Sequence, residues 1–525
     1  MDRRRFLARA VPVSTIPFLL GGFRLRAYAG APLLKALAGA SVEDRVLVIV
    51  QMNGGNDGLN TVIPLDQYSA LSAVRGNILI PEGKVLRMTS ATGLHPAMVG
   101  MHRLYSEGKL GIVQGVGYPS PNFSHFRATD IWLTASDSGQ VLSTGWMGRY
   151  LSDEYPGFPA GYPTAEMPDP PAIQIGSVIS TGLVGHGGPG GIAVSNTNST
   201  FTMPGGFDIP PDSPAGHELT YIRTVAEQTE QYSAIIRAAA GRARNLSALY
   251  PNPGRNSLAD QLKIVAQLIA GGLKTRIFVV NIGGFDTHSG QVASGSTDTG
   301  THATLLDRLS VAVTAFMDDL RLLGIDHRVV GMTFSEFGRR ITSNASLGTD
   351  HGTSAPMFLF GTPVSPRIFG TNPEISPTAT SRDNLPMQHD FRAVYASVLK
   401  DWLGASAPEV ESVLLKNDLA TLPVIDYAAV ASGAGVVPAS YALMQNYPNP
   451  FNPLTTIVYD LPAPAQVRIA VYDSAGEEVA VLVDRGMEAG RNSVDFNGNR
   501  LASGVYFYTM TAGSFQESRK MVLVR

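Results

Sequence analysis

The sequence predicts an α/β body on a mainly parallel sheet flanked by helices, followed by a small all-β sandwich. Three observations carry this. Apolar runs of strand length at 45–52, 110–116, 276–280 and 329–334 alternate with stretches of helical spacing, the pattern of a parallel sheet covered on both faces. Each run stops abruptly in Asp, His, Ser, Glu or Asn, and open α/β sheets bind ligands just beyond the carboxyl ends of their strands. Residues 441–525 instead give short alternating segments joined by tight turns such as Asp473-Ser474-Ala475-Gly476, the pattern of a sandwich.

At 525 residues the chain exceeds one ordinary domain. We divide it into a signal at 1–29, the α/β domain at 30–425, a linker at 426–440 rich in Ala, Gly, Val and Pro, and the sandwich at 441–525. It is 44% hydrophobic and 16% charged with net charge -3, and no basic tract suits nucleic acid. The absence of cysteine excludes disulfides, thiolate metal sites and a cysteine nucleophile. Outside the N-terminus no apolar run is long enough to span a membrane. Met1-Asp2-Arg3-Arg4-Arg5-Phe6-Leu7, an apolar segment from Val11 to Gly22 and Ala27-Tyr28-Ala29 form an export signal. Its RRRFL core fits a twin-arginine signal or an ordinary secretory one.

The first strand, Arg45 to Met52, runs into Asn53-Gly54-Gly55-Asn56-Asp57-Gly58. Asp57 either faces outward as a ligand or serves a plain strand-to-helix turn. Residues 94–108 have helical spacing. The strand from Leu110 to Val116 ends in a loop held extended by Pro119 and Pro121. A helix begins near Ser124, which is an N-cap or, with metal assistance, a nucleophile. Residues 136–217 read as loop, and 218–273 as mostly helical.

The strand Arg276 to Val280 leads to Asp286 and His288, two apart on a turn. Carboxylate and imidazole suit zinc or manganese. A helix over 301–323 precedes the stretch Arg328 to Gly352, which sets Ser335, Glu336, Arg339, Arg340, Asp350 and His351 at and beyond a strand end. Glu336 is read as ligand or base. Arg127 or Arg339 is read as holding anionic oxygens, since guanidinium matches them bidentately. Asp390 is placed to cap the next helix, and His389 is a ligand or part of that cap.

The segments NGGNDGLNTVIP, VQGVGYPSPNFSHFRATDIW, VVNIGGFDTHSGQ, MTFSEFGRR and GTDHGTSAPMFLFG resemble the bacterial domain-of-unknown-function family 1501 over residues 42–405. The resemblance implies the alkaline phosphatase and sulfatase-like superfamily, with a parallel sheet, one or two divalent metals (Zn, Mn, Mg or Ca) and a hydroxyl nucleophile. It implies Asp57, Asp286, His288, Asp350, His351 and His389 as metal ligands and Ser124 as nucleophile. Without a cysteine to become formylglycine, sulfatase chemistry of the usual kind is excluded. The tail, with NYPNPFNP and LASGVYFY, resembles the type A C-terminal sorting domain of type IX secretion, or an immunoglobulin-like accessory sandwich. The resemblance implies passage across the outer membrane, with export machinery as partner at both ends. The expected function is a secreted metal-dependent hydrolase of an anionic ester. The alternative is a non-catalytic, surface-displayed binding or matrix-processing component.

Overall fold

Alternation along one strand decides the architecture of the body. In β1 (Val46–Asn53) the side chains of Val46, Val48, Val50 and Met52 enter one core, whereas Leu47 and Ile49 enter another. Successive strand residues point to opposite faces, so a continuous apolar run means a strand buried on both sides. These coordinates are a computed structural model. They describe residues 44–195, 210–426, 441–446, 449–487, 489–499 and 501–524. The export signal and, apart from Asp426, the linker lie outside the described residues.

The sheet adds β2 (Leu110–Gly117), β3 (Ala172–Ile175), β4 (Ile192–Val194), β5 (Ile277–Gly283), β6 (Val329–Phe334), β7 (Ala355–Phe360), β8 (Ile368–Phe369) and β9 (His389–Asp390). Its order is β8-β2-β7-β6-β1-β5-β3-β4, with β9 also on β2. Every pairing is parallel except those of β7 with β6 and β2. In register, Asn53 lies opposite Gly283 and Gln51 opposite Phe334. The ends of β1, β5 and β6 are therefore adjacent, and their exit loops have no choice but to meet.

Helices cover both faces. They are α1 (Tyr68–Arg75), α2 (Val99–Ser106), α3 (His125–Thr134), α4 (Trp146–Glu154), α5 (Pro214–Arg242), α6 (Ser257–Ala270), α7 (Thr301–Leu322), α8 (Phe391–Ser397) and α9 (Ala407–Leu414). Met101 of α2, Tyr232 of α5, Leu262 of α6 and Leu309, Val313 and Phe316 of α7 pack on one face. Trp132 of α3, Trp146 of α4, Phe391 and Tyr395 of α8 and Val413 of α9 pack on the other. Asp390 does cap α8, its side chain accepting from Arg392 N. The stretch 136–217, read as loop, contains α4, β3 and β4. These strands are four and three residues long, too short for alternation to show against their Pro and Gly neighbours.

Residues beyond 441 form two antiparallel sheets. One joins β10 (Ala442–Leu443), β11 (Leu454–Leu461) and β14 (Gly490–Asn497). The other joins β12 (Ala465–Tyr472), β13 (Glu478–Met487), β15 (Gly504–Ala512) and β16 (Phe515–Leu523). Ile457, Tyr459, Ile469, Val471, Tyr508 and Met521 share one core between them, the arrangement of a β-sandwich. Among the described residues no helix is long and apolar enough to cross a membrane.

Candidate metal centre

The loops leaving β5 and β6 are fastened to each other by backbone. Thr349 N donates to Thr287 O at 3.1 Å and Gln291 N to Leu347 O at 2.9 Å. Close approach is possible because the facing positions are glycines. A Cβ on Gly348 would lie 2.3 Å from His288 O, and one on Gly54, where φ is +122°, would lie 2.2 Å from Asp286 N. Gly54→Ala is expected to destabilise the fold by about 1–3 kcal/mol through overpacking against backbone, beyond its conformational cost. Thermal unfolding of the variant checks this.

Four side chains meet where these loops join the start of α3. His288 Nε2 lies 2.8 Å from His351 Nε2. Asp286 Oδ1 lies 3.2 Å from His288 Nε2 and 3.3 Å from His351 Nε2, while Asp286 Oδ2 lies 3.4 Å from His125 Nε2. The ligand-type atoms of His125, Asp286 and His351 all fall within 4.8 Å of one another. Each ring is held from behind by an oxygen. His125 Nδ1 meets Glu336 Oε1 at 2.8 Å, His288 Nδ1 meets Asp350 Oδ1 at 3.0 Å, and His351 Nδ1 meets Phe123 O at 2.8 Å. Carboxylates and carbonyls only accept, so each ring donates from Nδ1, and in a neutral ring Nε2 then carries the lone pair. Metal-ligating histidines are held in this way.

The electrostatics run the same way. Burial holds the His351 ring below the ordinary imidazole range and so keeps it neutral. Burial pushes the Asp286 carboxyl up, but the Arg339 hydrogen bond and charge, with His351 and His125, outweigh it and hold it low. Burial likewise pushes Asp350 up, but the His288 and Asn344 hydrogen bonds together with the charges of His288 and Arg339 outweigh it and hold it low. A neutral His351 beside an ionised Asp286 is the pairing of protonation states a metal needs. His125 Nε2 is buried without a hydrogen-bond partner, and His288 Nε2 and His351 Nε2 lie 2.8 Å apart, a contact that needs a proton or a metal cation between the two nitrogens. On both observations the residues fit a metal ion.

The remaining expected site residues take other places. Asp57 is buried, and Arg75 Nη1 reaches both its oxygens at 3.0 Å while Gln291 Nε2 donates to Oδ2 at 2.6 Å. Its carboxylate faces these groups and not the histidines. Asp350 stands behind His288, also accepting from Asn344 Nδ2 at 3.2 Å. Glu336 Oε1 accepts from Gly54 N at 2.8 Å as well as from His125. The guanidinium of Arg339 is buried and fully engaged. It donates to the carbonyls of Gly54, Gly55, Phe285 and Thr349 and to Asp286 Oδ1. Arg127 turns away to Asp130, Ser136 and the carbonyls of Asp137, Ser138 and Gln140. Neither arginine is thus free to hold an anion. His389 stands on β9, its Nε2 without a hydrogen-bond partner, and among the described residues none of its contacts reaches the histidine group.

Ser124 precedes α3 as its N-cap residue, is exposed, and makes no side-chain cap bond. His125, the first residue of α3, is the member of the cluster that the sequence reading left without a role. Its signal is its place at a helix start just after a strand end, adjoining a candidate nucleophile. A cleft of about 400 Å³ opens here, lined by Asn53, Gly54, His125, Phe126, Thr129, Asp286 and Glu336.

A family model described as a protein of unknown function (DUF1501) matches residues 225–398, a narrower span than the expected 42–405. A second, the secretion system C-terminal sorting domain, matches residues 445–524. No curated protein matches the chain. Among solved structures, PorZ, a surface component of the type IX secretion system of Porphyromonas gingivalis, is 23% identical over 18% of this chain and 13% of its own, with TM-score 0.13. A protein in the alkaline phosphatase superfamily from Vibrio parahaemolyticus is 11% identical over 90% of this chain and 82% of its own, TM-score 0.34. The PsFucS1 sulfatase from Pseudoalteromonas sp. is 11% identical over 90% and 88%, TM-score 0.32. The sorting domain marks the chain as exported, either secreted or attached to the outer cell surface. The chain carries a DUF1501 region at residues 225–398 and a secretion system C-terminal sorting domain at residues 445–524.

Proposed function

We propose that the α/β body binds one divalent transition-metal ion through His125, Asp286, His288 and His351 and hydrolyses a phosphate or sulfate ester beside it. One observation carries the reading. Asp286 stands within 3.4 Å of the Nε2 atoms of His125, His288 and His351, while each of the three Nδ1 atoms meets an oxygen behind it. Imidazole with one carboxylate suits zinc or manganese, whereas magnesium and calcium take oxygen ligands. When bound, the ion supplies Lewis acidity to an ester oxygen and to a hydroxyl nucleophile.

The chain's own groups do the rest. Ser124 offers its hydroxyl at the start of α3, beside His125 and next to the free N–H groups of a first helical turn, which favour an anion. Glu336 and Asp350 orient His125 and His288 and keep their protons on Nδ1. Hydrolysis consumes one water and yields the alcohol and the free phosphate or sulfate.

Elemental analysis of the full chain, with a panel of aryl phosphate, phosphodiester and sulfate substrates, tests the reading. About one ion per chain and turnover of one ester class are expected. Ser124→Ala is expected to lower that turnover by about 10³-fold or more with the metal retained. The absence of both metal and turnover overturns the proposal. A non-catalytic surface component is the second reading. One observation favours it: the cleft lining includes the carboxylates Asp286 and Glu336 and no guanidinium.

A further inference from the structure

We infer that Gln291 is a positioning residue that sets the spacing of the two ligand-bearing loops, an inference that rests on the metal-centre reading above. Gln291 is fully buried. Its Nε2 donates to Asp57 Oδ2 at 2.6 Å, and its Oε1 accepts from Thr287 Oγ1 at 3.1 Å and from Thr349 Oγ1 at 2.7 Å. A carboxylate cannot donate, so the amide nitrogen must face Asp57 and the amide oxygen must face the two hydroxyls. The orientation is forced.

The position of the two threonines gives this bond pattern its consequence. Thr287 lies between Asp286 and His288, and Thr349 directly precedes Asp350 and His351. One amide oxygen thus ties together both segments that supply the facing Nε2 atoms of His288 and His351. Behind it, Asp57 is clamped to Arg75, whose Nε donates to Ile341 O at 2.8 Å and whose Nη2 donates to Arg340 O at 2.7 Å. The ligand loops are referenced through Gln291 to a buried ion pair in the core. Asp57 then serves the centre from a distance.

The test is a Co²⁺ titration of the full-length chain, followed by visible absorption, alongside thermal unfolding of the metal-free protein. Gln291→Met keeps the length and removes all three bonds, the two from the threonines and the one to Asp57. It is expected to weaken Co²⁺ binding by about 10–100-fold, the usual cost of losing an outer support, and to change the ligand-field bands. Leu309→Ala, a core change in α7 outside both ligand-bearing segments, controls for stability alone and is expected to keep wild-type affinity and bands. If Gln291→Met does not fold, the pair Thr287→Val with Thr349→Val removes the two threonine bonds, keeps the Asp57 bond and is expected to act in the same direction. Wild-type affinity and bands in the Gln291 or threonine variants overturn the assignment, and so does an equal loss in Leu309→Ala. Failure of the unaltered chain to bind Co²⁺ is a separate outcome: it sinks the metal centre and this assignment with it.

Discussion

His288→Ala and His351→Ala are each expected to abolish tight metal binding while leaving the fold in place. The His288 side chain is 45% exposed, so its truncation should move the stability of the metal-free protein by about 0.5 kcal/mol or less, whereas His351, 20% exposed and packed against Phe337, should cost about 1 kcal/mol. Affinity should fall by more than the roughly 10–100-fold that supporting residues are worth, because a donor atom itself is lost. Asp350→Ala, which removes only the oxygen behind His288, should fall within that smaller range. Metal stabilises whatever folded state binds it, by about 4 kcal/mol when free metal exceeds Kd a thousandfold. A chelator should therefore lower the melting temperature of the unaltered protein and leave that of the two histidine variants unchanged. Calorimetric titration with and without chelator reads both effects, and undiminished affinity in either histidine variant would remove that residue from the centre.

Arg75→Met is expected to be the most destabilising single change near the site, costing about 3–5 kcal/mol, as breaking a buried ion pair does. Both partners are essentially inaccessible, at 0% and 1%. Without the guanidinium, Asp57 keeps the Gln291 amide but no charge of opposite sign in contact. The acid dependence has a definite sign. Burial pushes the Asp57 carboxyl up, yet the charges of Arg75 and His302 and the hydrogen bonds from Gln291 and Arg75 outweigh it, so its folded pKa lies below the ordinary value of 3.8. A depressed carboxyl stabilises the fold fully above its unfolded pKa, near pH 4, and the contribution is lost as pH falls through the folded value. In Arg75→Met the same carboxyl is raised by burial that the guanidinium no longer opposes, and protonation relieves it. The stability gap between the two proteins should be widest near neutral pH and narrow toward acid. Denaturant unfolding across that range checks it, and a gap that widens in acid contradicts the account.

The fold was legible because β1, β2, β5 and β6 announce themselves as apolar runs stopped by polar residues. A strand buried on both faces cannot hide its composition. The site was legible only in outline. Asp57 and Asp286 look alike in sequence, each following an apolar run and a pair of glycines. What separates them is the company the fold brings. Arg75, on the short helix α1, meets Asp57, whereas Asp286 meets three imidazoles as well as Arg339. The two arginines were misread for a related reason. A guanidinium near a strand end suits an anion and a set of loop carbonyls equally well, and only the packing shows that Arg339 and Arg127 are consumed by the latter. His125 needed the reverse inference. It adjoins Ser124, and the turn into α3 brings its ring beside Asp286.

The centre is assembled from segments remote in the chain, His125 and its oxygen support Glu336 lying 211 residues apart. An extended polypeptide holds no such constellation, so the free energy of capturing the proposed ion would be released only with folding. For a protein addressed to the outside of the cell, that makes the compartment of cofactor loading the compartment in which folding is completed. A chain threaded unfolded through the inner membrane would have to scavenge its ion from the envelope or beyond, whereas one exported already folded could carry a cytoplasmic ion with it.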